Sequence, residues 1–145
     1  GQAILFNTQK QSVAAKVTPF KDSGVLISRL MPGQQISAEK ENVYAVLGGS
    51  GRGQCGLFNM MSGSEEYSIA CHSAPVSDVS FQPLNEYLAV GSKDASWSFN
   101  NVVTGTKLGS WQEDAPVSSI RFHPDGLVLA VGLKTGTVKV YDIRD

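Results

Sequence analysis

Ala74-Pro75-Val76-Ser77 returns 41 residues later as Ala115-Pro116-Val117-Ser118. The same step carries Phe81-Gln82-Pro83 onto Phe122-His123-Pro124, and Leu88-Ala89-Val90-Gly91 onto Leu129-Ala130-Val131-Gly132. Three matches in one register define a repeat, and a period of this size marks a fold assembled from like supersecondary units. A fainter copy lies upstream. Gly49-Ser50 aligns with Gly91-Ser92, and Met61-Ser62-Gly63 with Val103-Thr104-Gly105, at a step of 42. Val25, Leu30 and Pro32 align with Val76, Phe81 and Pro83 at a step of 51. The mismatch places an insertion in the polar segment Gly33 to Asn42, read as a surface loop with a helical turn over Ala38 to Glu41.

Inside each copy the pattern is that of short strands. Val76 to Phe81, Tyr87 to Val90 and Trp97 to Phe99 are apolar or alternating runs separated by Pro, Gly, Asn and Asp. Val117 to Phe122, Leu127 to Val131 and Thr137 to Tyr141 repeat the arrangement. Val138, Val140 and Ile143 alternate with Lys139 and Asp142, as a half-buried strand requires. Strands of this length, with no 3.6-residue periodicity, exclude a helical repeat. A unit of about 41 residues carrying four short strands reads as one blade of a β-propeller.

Composition narrows the function classes. Of 145 residues 41% are hydrophobic, enough for a core and too many for a disordered chain. Lys plus Arg is 12 against 13 for Asp plus Glu, so no basic excess is available to capture nucleic acid. No apolar run approaches the ~18 residues that span a bilayer, and Gly1-Gln2-Ala3-Ile4-Leu5 lacks the basic start of a signal peptide. Cys55 and Cys71 read as packed, reduced thiols rather than a disulfide scaffold.

Phe122-His123-Pro124-Asp125-Gly126, Val140-Tyr141-Asp142, His72, Ser92-Lys93-Asp94 and Thr104-Gly105 resemble the WD-repeat family. Its closing Trp-Asp is degraded to Phe6-Asn7, Phe58-Asn59, Asn100-Asn101 and Tyr141-Asp142. His72-Ser73-Ala74, Tyr87-Leu88 and Asp94 with Trp97 and Phe99 are similar to the propeller of the U-box ubiquitin ligases of the spliceosomal nineteen complex. The resemblance implies an all-β propeller: about three to three and a half four-stranded blades of a seven-bladed ring. Residues 1–20 would end one blade and begin the next, followed by repeats over 21–63, 64–105 and 106–145. It also implies a nuclear protein-recruiting domain, with spliceosomal components or ubiquitination substrates as partners. Ligase chemistry would reside in a U-box that this stretch does not contain. Other expectations are no direct nucleic acid or membrane contact, and self-association of an open arc. A WD scaffold of another pathway, such as a substrate receptor of a cullin-type ligase, is the alternative.

Motifs that suggest chemistry have plainer readings. Gly51-Arg52-Gly53-Gln54-Cys55-Gly56 has the spacing of a dinucleotide loop, but the repeat register puts a strand after it instead of the helix that would hold a pyrophosphate. His72, Ser92 and Asp94 occupy the family's structural blade network, with Asn100 in place of its Trp. In the following repeat Glu113, Leu133, Thr135 and Tyr141 take these positions, and the network is expected to be lost. No catalytic, cofactor or metal site is expected. The loops and turns bearing Lys21, Asp22, Arg52, Lys93, Glu113, Asp114 and Lys134 should share one face, the candidate interaction surface. Trp111, Tyr67 and Phe20 should lie near blade edges, with at least one covered by an outermost strand.

Overall fold

A computed structural model describes residues 1–33, 42–69 and 72–144. The strands, in chain order, are β1 (Ala3–Asn7), β2 (Ser12–Val17), β3 (Val25–Leu30), β4 (Tyr44–Gly49), β5 (Cys55–Asn59), β6 (Glu65–Ser68) and β7 (Val76–Phe81). They continue with β8 (Tyr87–Ser92), β9 (Ser96–Asn101), β10 (Lys107–Gln112), β11 (Val117–Phe122), β12 (Val128–Leu133) and β13 (Val138–Asp142). These form four antiparallel meanders: β1-β2, β3-β4-β5-β6, β7-β8-β9-β10 and β11-β12-β13. Among the described residues no helix is long and apolar enough to cross a membrane. The insertion, its helical turn at 38–41 and Cys71 lie outside the described residues, apart from Gly33 and Asn42 at the insertion's ends.

Neighbouring sheets stack through their first strands, β3 on β7 and β7 on β11. The hydrophobic core is therefore distributed between blades. Ala3, Leu5, Val17, Leu47 and Phe58 pack between the first and second sheets. Val46, Leu57, Val76, Val79, Leu88 and Val90 fill the next layer. Ala89, Trp97, Val117, Ile120, Leu129 and Val131 fill the last. Each fully buried Val or Leu contributes roughly 1.5–3 kcal/mol. Strands β4 and β8 are covered on both faces, which is why Leu88-Ala89-Val90 runs apolar without alternation.

Two devices recur from blade to blade. The pairing of first and second strands slips at Val25/Ile27, Val76/Asp78 and Val117/Ser119, one β-bulge at one repeat position. The degraded Trp-Asp positions keep a single function. Asn7 Oδ1 accepts from the Gln9 and Lys10 amides, Asn59 Oδ1 from Met61 and Ser62, and Asn101 Oδ1 from Val103 and Thr104. Asp142 Oδ1 likewise accepts from the Arg144 amide. Each side chain builds an Asx turn at the end of its strand, a task that Asn and Asp perform equally. Of the three aromatic residues placed near blade edges, Trp111 is exposed on β10, whereas Tyr67 and Phe20 are half-buried.

Candidate interaction face and the polar networks beneath it

Backbone hydrogen bonds gather the incoming loops and the turns at one end of the sheets. Ser50 N donates to Gly24 O (2.9 Å), Lys93 N to Pro75 O (3.1 Å) and Lys134 N to Pro116 O (2.9 Å), tying each blade's turn to its own incoming loop. Gly53 N to Ala74 O (3.2 Å) and Glu113 N to Ala95 O (2.7 Å) tie each turn to the next blade's loop. Gly53 sits at φ +57°, and a Cβ there would lie 2.3 Å from His72 O. Only glycine allows that approach. The glycine run is thus a β-turn followed by strand β5, as the repeat register indicates.

Lys21, Asp22, Arg52, Lys93, Asp114 and Lys134 are exposed at this end, with both signs of charge interspersed. Glu113 is not part of that surface. Its side chain is fully buried: placing it among the accessible charges overlooks the contacts that draw it beneath the loop.

The His72 network differs in membership from the one read in sequence. The ring is 1% exposed. Its Nδ1 lies 3.2 Å from Asp94 Oδ2 and 3.1 Å from Ser96 Oγ, and its Nε2 lies 3.1 Å from Ser98 Oγ. Asn100 Nδ2 donates to Ser98 Oγ (3.0 Å), so the residue in the Trp position extends the chain of bonds. Ser92 stands apart from the ring: its hydroxyl faces the Ala74 and Pro75 carbonyls and accepts from the Asp94 amide. Burial pushes the His72 pKa down against the raising effect of Asp94, so the imidazole is neutral at pH 7. Burial opposes ionisation of Asp94, but hydrogen bonds from the Ser96 hydroxyl and Ser73 amide outweigh it and hold that carboxyl below its usual range.

One repeat later the same positions carry different chemistry and a network of their own. Glu113, Lys139 and Tyr141 stand 41 residues after His72, Ser98 and Asn100. Glu113 Oε1 accepts from Tyr141 OH (2.6 Å) and from Trp97 Nε1 (2.9 Å), and Oε2 accepts from Lys139 Nζ (2.8 Å). The family's tetrad is absent here, with Leu133 and Thr135 taking no part, and a carboxylate with a cation and a phenol stands in place of a histidine with a hydroxyl and an amide. Burial raises the Glu113 pKa, but the bonds from Lys139, Tyr141 and Trp97 bring it below the ordinary value. Trp97 belongs to the preceding sheet, so this carboxylate also fastens two blades.

A further network was not visible in the sequence. Asp78, 4% exposed at the β7 bulge, accepts from the Val79 amide (3.0 Å), the Ile120 amide (3.0 Å), Arg29 (3.0 Å) and Arg121. Arg29 and Arg121 occupy equivalent positions in the flanking blades, both aligned with Ser80 of the blade between them. One carboxylate thereby staples three successive first strands. The only sequence signal was two arginines in register around a lone acid inside an apolar strand.

Among the described residues no cluster of three His, Cys, Asp or Glu side chains could hold a metal ion. Residues 63–99 match the family model for the WD domain, G-beta repeat. Residues 106–145 match that for the WD40 domain of anaphase-promoting complex subunit 4. No curated protein matches the chain. The matched segments run from β6 into β9 and from β10 through β13, in step with the internal repeat. Repeat, meander topology and these matches agree: residues 63–99 and 106–145 carry WD repeats, and the antiparallel sheets are those of a partial WD β-propeller.

Proposed function

We propose that this chain is a protein-interaction platform whose loop face recruits a protein partner. The observation that carries the reading is the loop face itself. Six exposed charges of both signs stand on loops and turns cross-tied by backbone hydrogen bonds. Rigid blades presenting variable loops are a common binding arrangement, and mixed charge suits a protein surface better than a phosphate backbone. Resemblance to the U-box ligases of the nineteen complex supports a finer reading: a nuclear domain that brings spliceosomal components or substrates to a ligase whose chemistry lies elsewhere. The match of residues 106–145 to the domain of an anaphase-promoting complex subunit favours, as second reading, a WD scaffold of another ubiquitination assembly.

The test is quantitative affinity capture from nuclear extract with the parent chain and with the triple variant Arg52→Glu, Lys93→Glu, Lys134→Glu. Splicing proteins captured by the parent and lost with the variant are the expected result. A face-dependent set without splicing proteins supports the second reading. A capture profile identical for the two baits refutes the loop face.

A further inference from the structure

The fifth residues of β3, β7 and β11 are Arg29, Ser80 and Arg121, one row across three blades. The row walls a cleft of about 200 Å³, with Leu30, Pro32 and Phe81 as its apolar side. Each first strand runs away from its incoming loop, so the cleft lies toward the end opposite the loop face.

Cations outnumber anions here. Asp78 is the one acidic residue on these three strands, and both arginines share it, Arg29 at Oδ1 (3.0 Å) and Arg121 at Oδ2. Each guanidinium makes one further bond, Arg29 to Ser28 O (3.2 Å) and Arg121 to Ile120 O (2.6 Å). A guanidinium has five N–H donors, so three on each have no acceptor among the described residues. The side chains are 42% and 51% exposed, which leaves those donors accessible. Ser80 Oγ accepts from the Phe122 amide (3.0 Å), and its own proton is uncommitted.

The charge balance selects the ligand. Two guanidiniums and one carboxylate leave a net charge of +1, which a single further carboxylate brings to zero. A phosphomonoester carries about −1.5 to −2, and its surplus would face Asp78. Guanidinium forks match a carboxylate through parallel N–H···O bonds. The bonds to Asp78 and to the two carbonyls already hold both side chains, so little rotamer freedom remains to be lost on binding. The apolar side accommodates the methylenes of a side chain, and a wall of low polarity strengthens the Coulomb attraction. The volume is below the roughly 300–1,000 Å³ of sites for drug-sized ligands, and suits one side chain.

We propose that this cleft binds the carboxylate of an Asp or Glu side chain on a protein partner, held between Arg29 and Arg121. Its assignment to a protein rests on the interaction-platform reading above, and it adds a second contact point at the other end of the blades.

The probe is N-acetyl-glutamate α-amide, a single carboxylate on a neutral backbone, with N-acetyl-glutamine α-amide as its uncharged twin. The chain has four arginines, Arg29, Arg52, Arg121 and Arg144, so the Nε–H signals of the isotope-labelled protein read the cleft directly by nuclear magnetic resonance. Expected are saturable shifts of the Arg29 and Arg121 signals with Arg52 and Arg144 unmoved, and binding about tenfold tighter than that of the glutamine twin, the effect of charge-assisted hydrogen bonds. Sodium acetate, which lacks the methylenes, should bind more weakly. Arg29→Gln should weaken binding by about the same factor, and Arg29→Lys should retain part of it, with the backbone amide spectrum confirming the fold of both. No saturable shift, equal binding of the glutamine twin, shifts shared equally by Arg52 and Arg144, or affinity unchanged by Arg29→Gln would each overturn the assignment. Tighter binding of N-acetyl-phosphoserine α-amide would overturn the carboxylate, and acetate binding as tightly as the glutamate probe would show an adventitious ion only. None of these results depends on capture through Arg52, Lys93 and Lys134, which do not line the cleft.

Discussion

Replacing Glu113 by Ala removes the acceptor that joins the third and fourth blades. Trp97 Nε1 and Tyr141 OH lose their partner at buried or half-buried sites. Each unsatisfied buried donor costs roughly 1–3 kcal/mol. Lys139 is partly exposed and retains Asp114 at 2.9 Å, so its contribution is small. The sum is a destabilisation of about 3 kcal/mol, which for a chain of this length lowers Tm by about 10 °C. Glu113→Gln keeps one acceptor oxygen and gives up the charge, and should cost about half as much. Urea denaturation followed by circular dichroism and tryptophan emission measures both variants, and the emission separately reports the new environment of Trp97. A Glu113→Ala midpoint within the error of the parent would refute the argument, since the buried Trp97 indole N–H cannot go unpaired without cost.

Asp78→Ala should destabilise by about 3 kcal/mol through the orphaned Val79 and Ile120 amides, whereas Arg29→Ala should cost at most about 1 kcal/mol because that guanidinium is 42% exposed; urea midpoints of the two variants test the asymmetry. Gly53→Ala should lower stability by more than about 1 kcal/mol, since it combines a left-handed φ with a Cβ 2.3 Å from His72 O, and differential scanning calorimetry reads the shift. Acid should weaken the fold in two stages. The His72 pKa is depressed below its ordinary 6.5, so unfolding takes up a proton and stability declines as the pH falls below that value. Glu113 is depressed below 4.5, so its contribution is present above that pH and disappears as the pH falls through its lower folded value. Urea midpoints from pH 7 down to about pH 2 measure both stages, and His72→Gln should flatten the first.

How much of this was readable from the residues depends on what each feature is made of. Strand positions follow from the repeat, because Val76-to-Phe81 and Val117-to-Phe122 carry the same apolar spacing and both bury their first and fourth residues, Val76 and Val79, Val117 and Ile120. The turns at Asn59, Asn101 and Asp142 were legible as one slot, since Asn and Asp side chains cap a turn alike. The polar networks were less legible. Position in the motif puts Ser92 in the His72 cluster, yet it is Ser98 on β9 that faces the ring, while Ser92 at the end of β8 faces the Pro75 carbonyl. Glu113 reads in sequence as an accessible loop charge, because the donors that bury it come from β9 and β13, 16 and 26–28 residues away. The Asp78 staple depends on a bulge that leaves no mark in hydrophobic pattern. Sequence repeats report which backbone positions correspond, and only the folded chain shows which side chains converge.

The most direct measurement of the central claim is hydrogen–deuterium exchange of the chain alone and saturated with a purified partner from the capture experiment. The account expects new protection in the segments around 21–24, 50–54, 72–75, 93–95, 113–116 and 134–136, the loops and turns of one end. Met61, Leu84, Val103 and Leu127 are exposed on the turns of the opposite end. Protection confined to those turns, with the loop face unchanged, would contradict it.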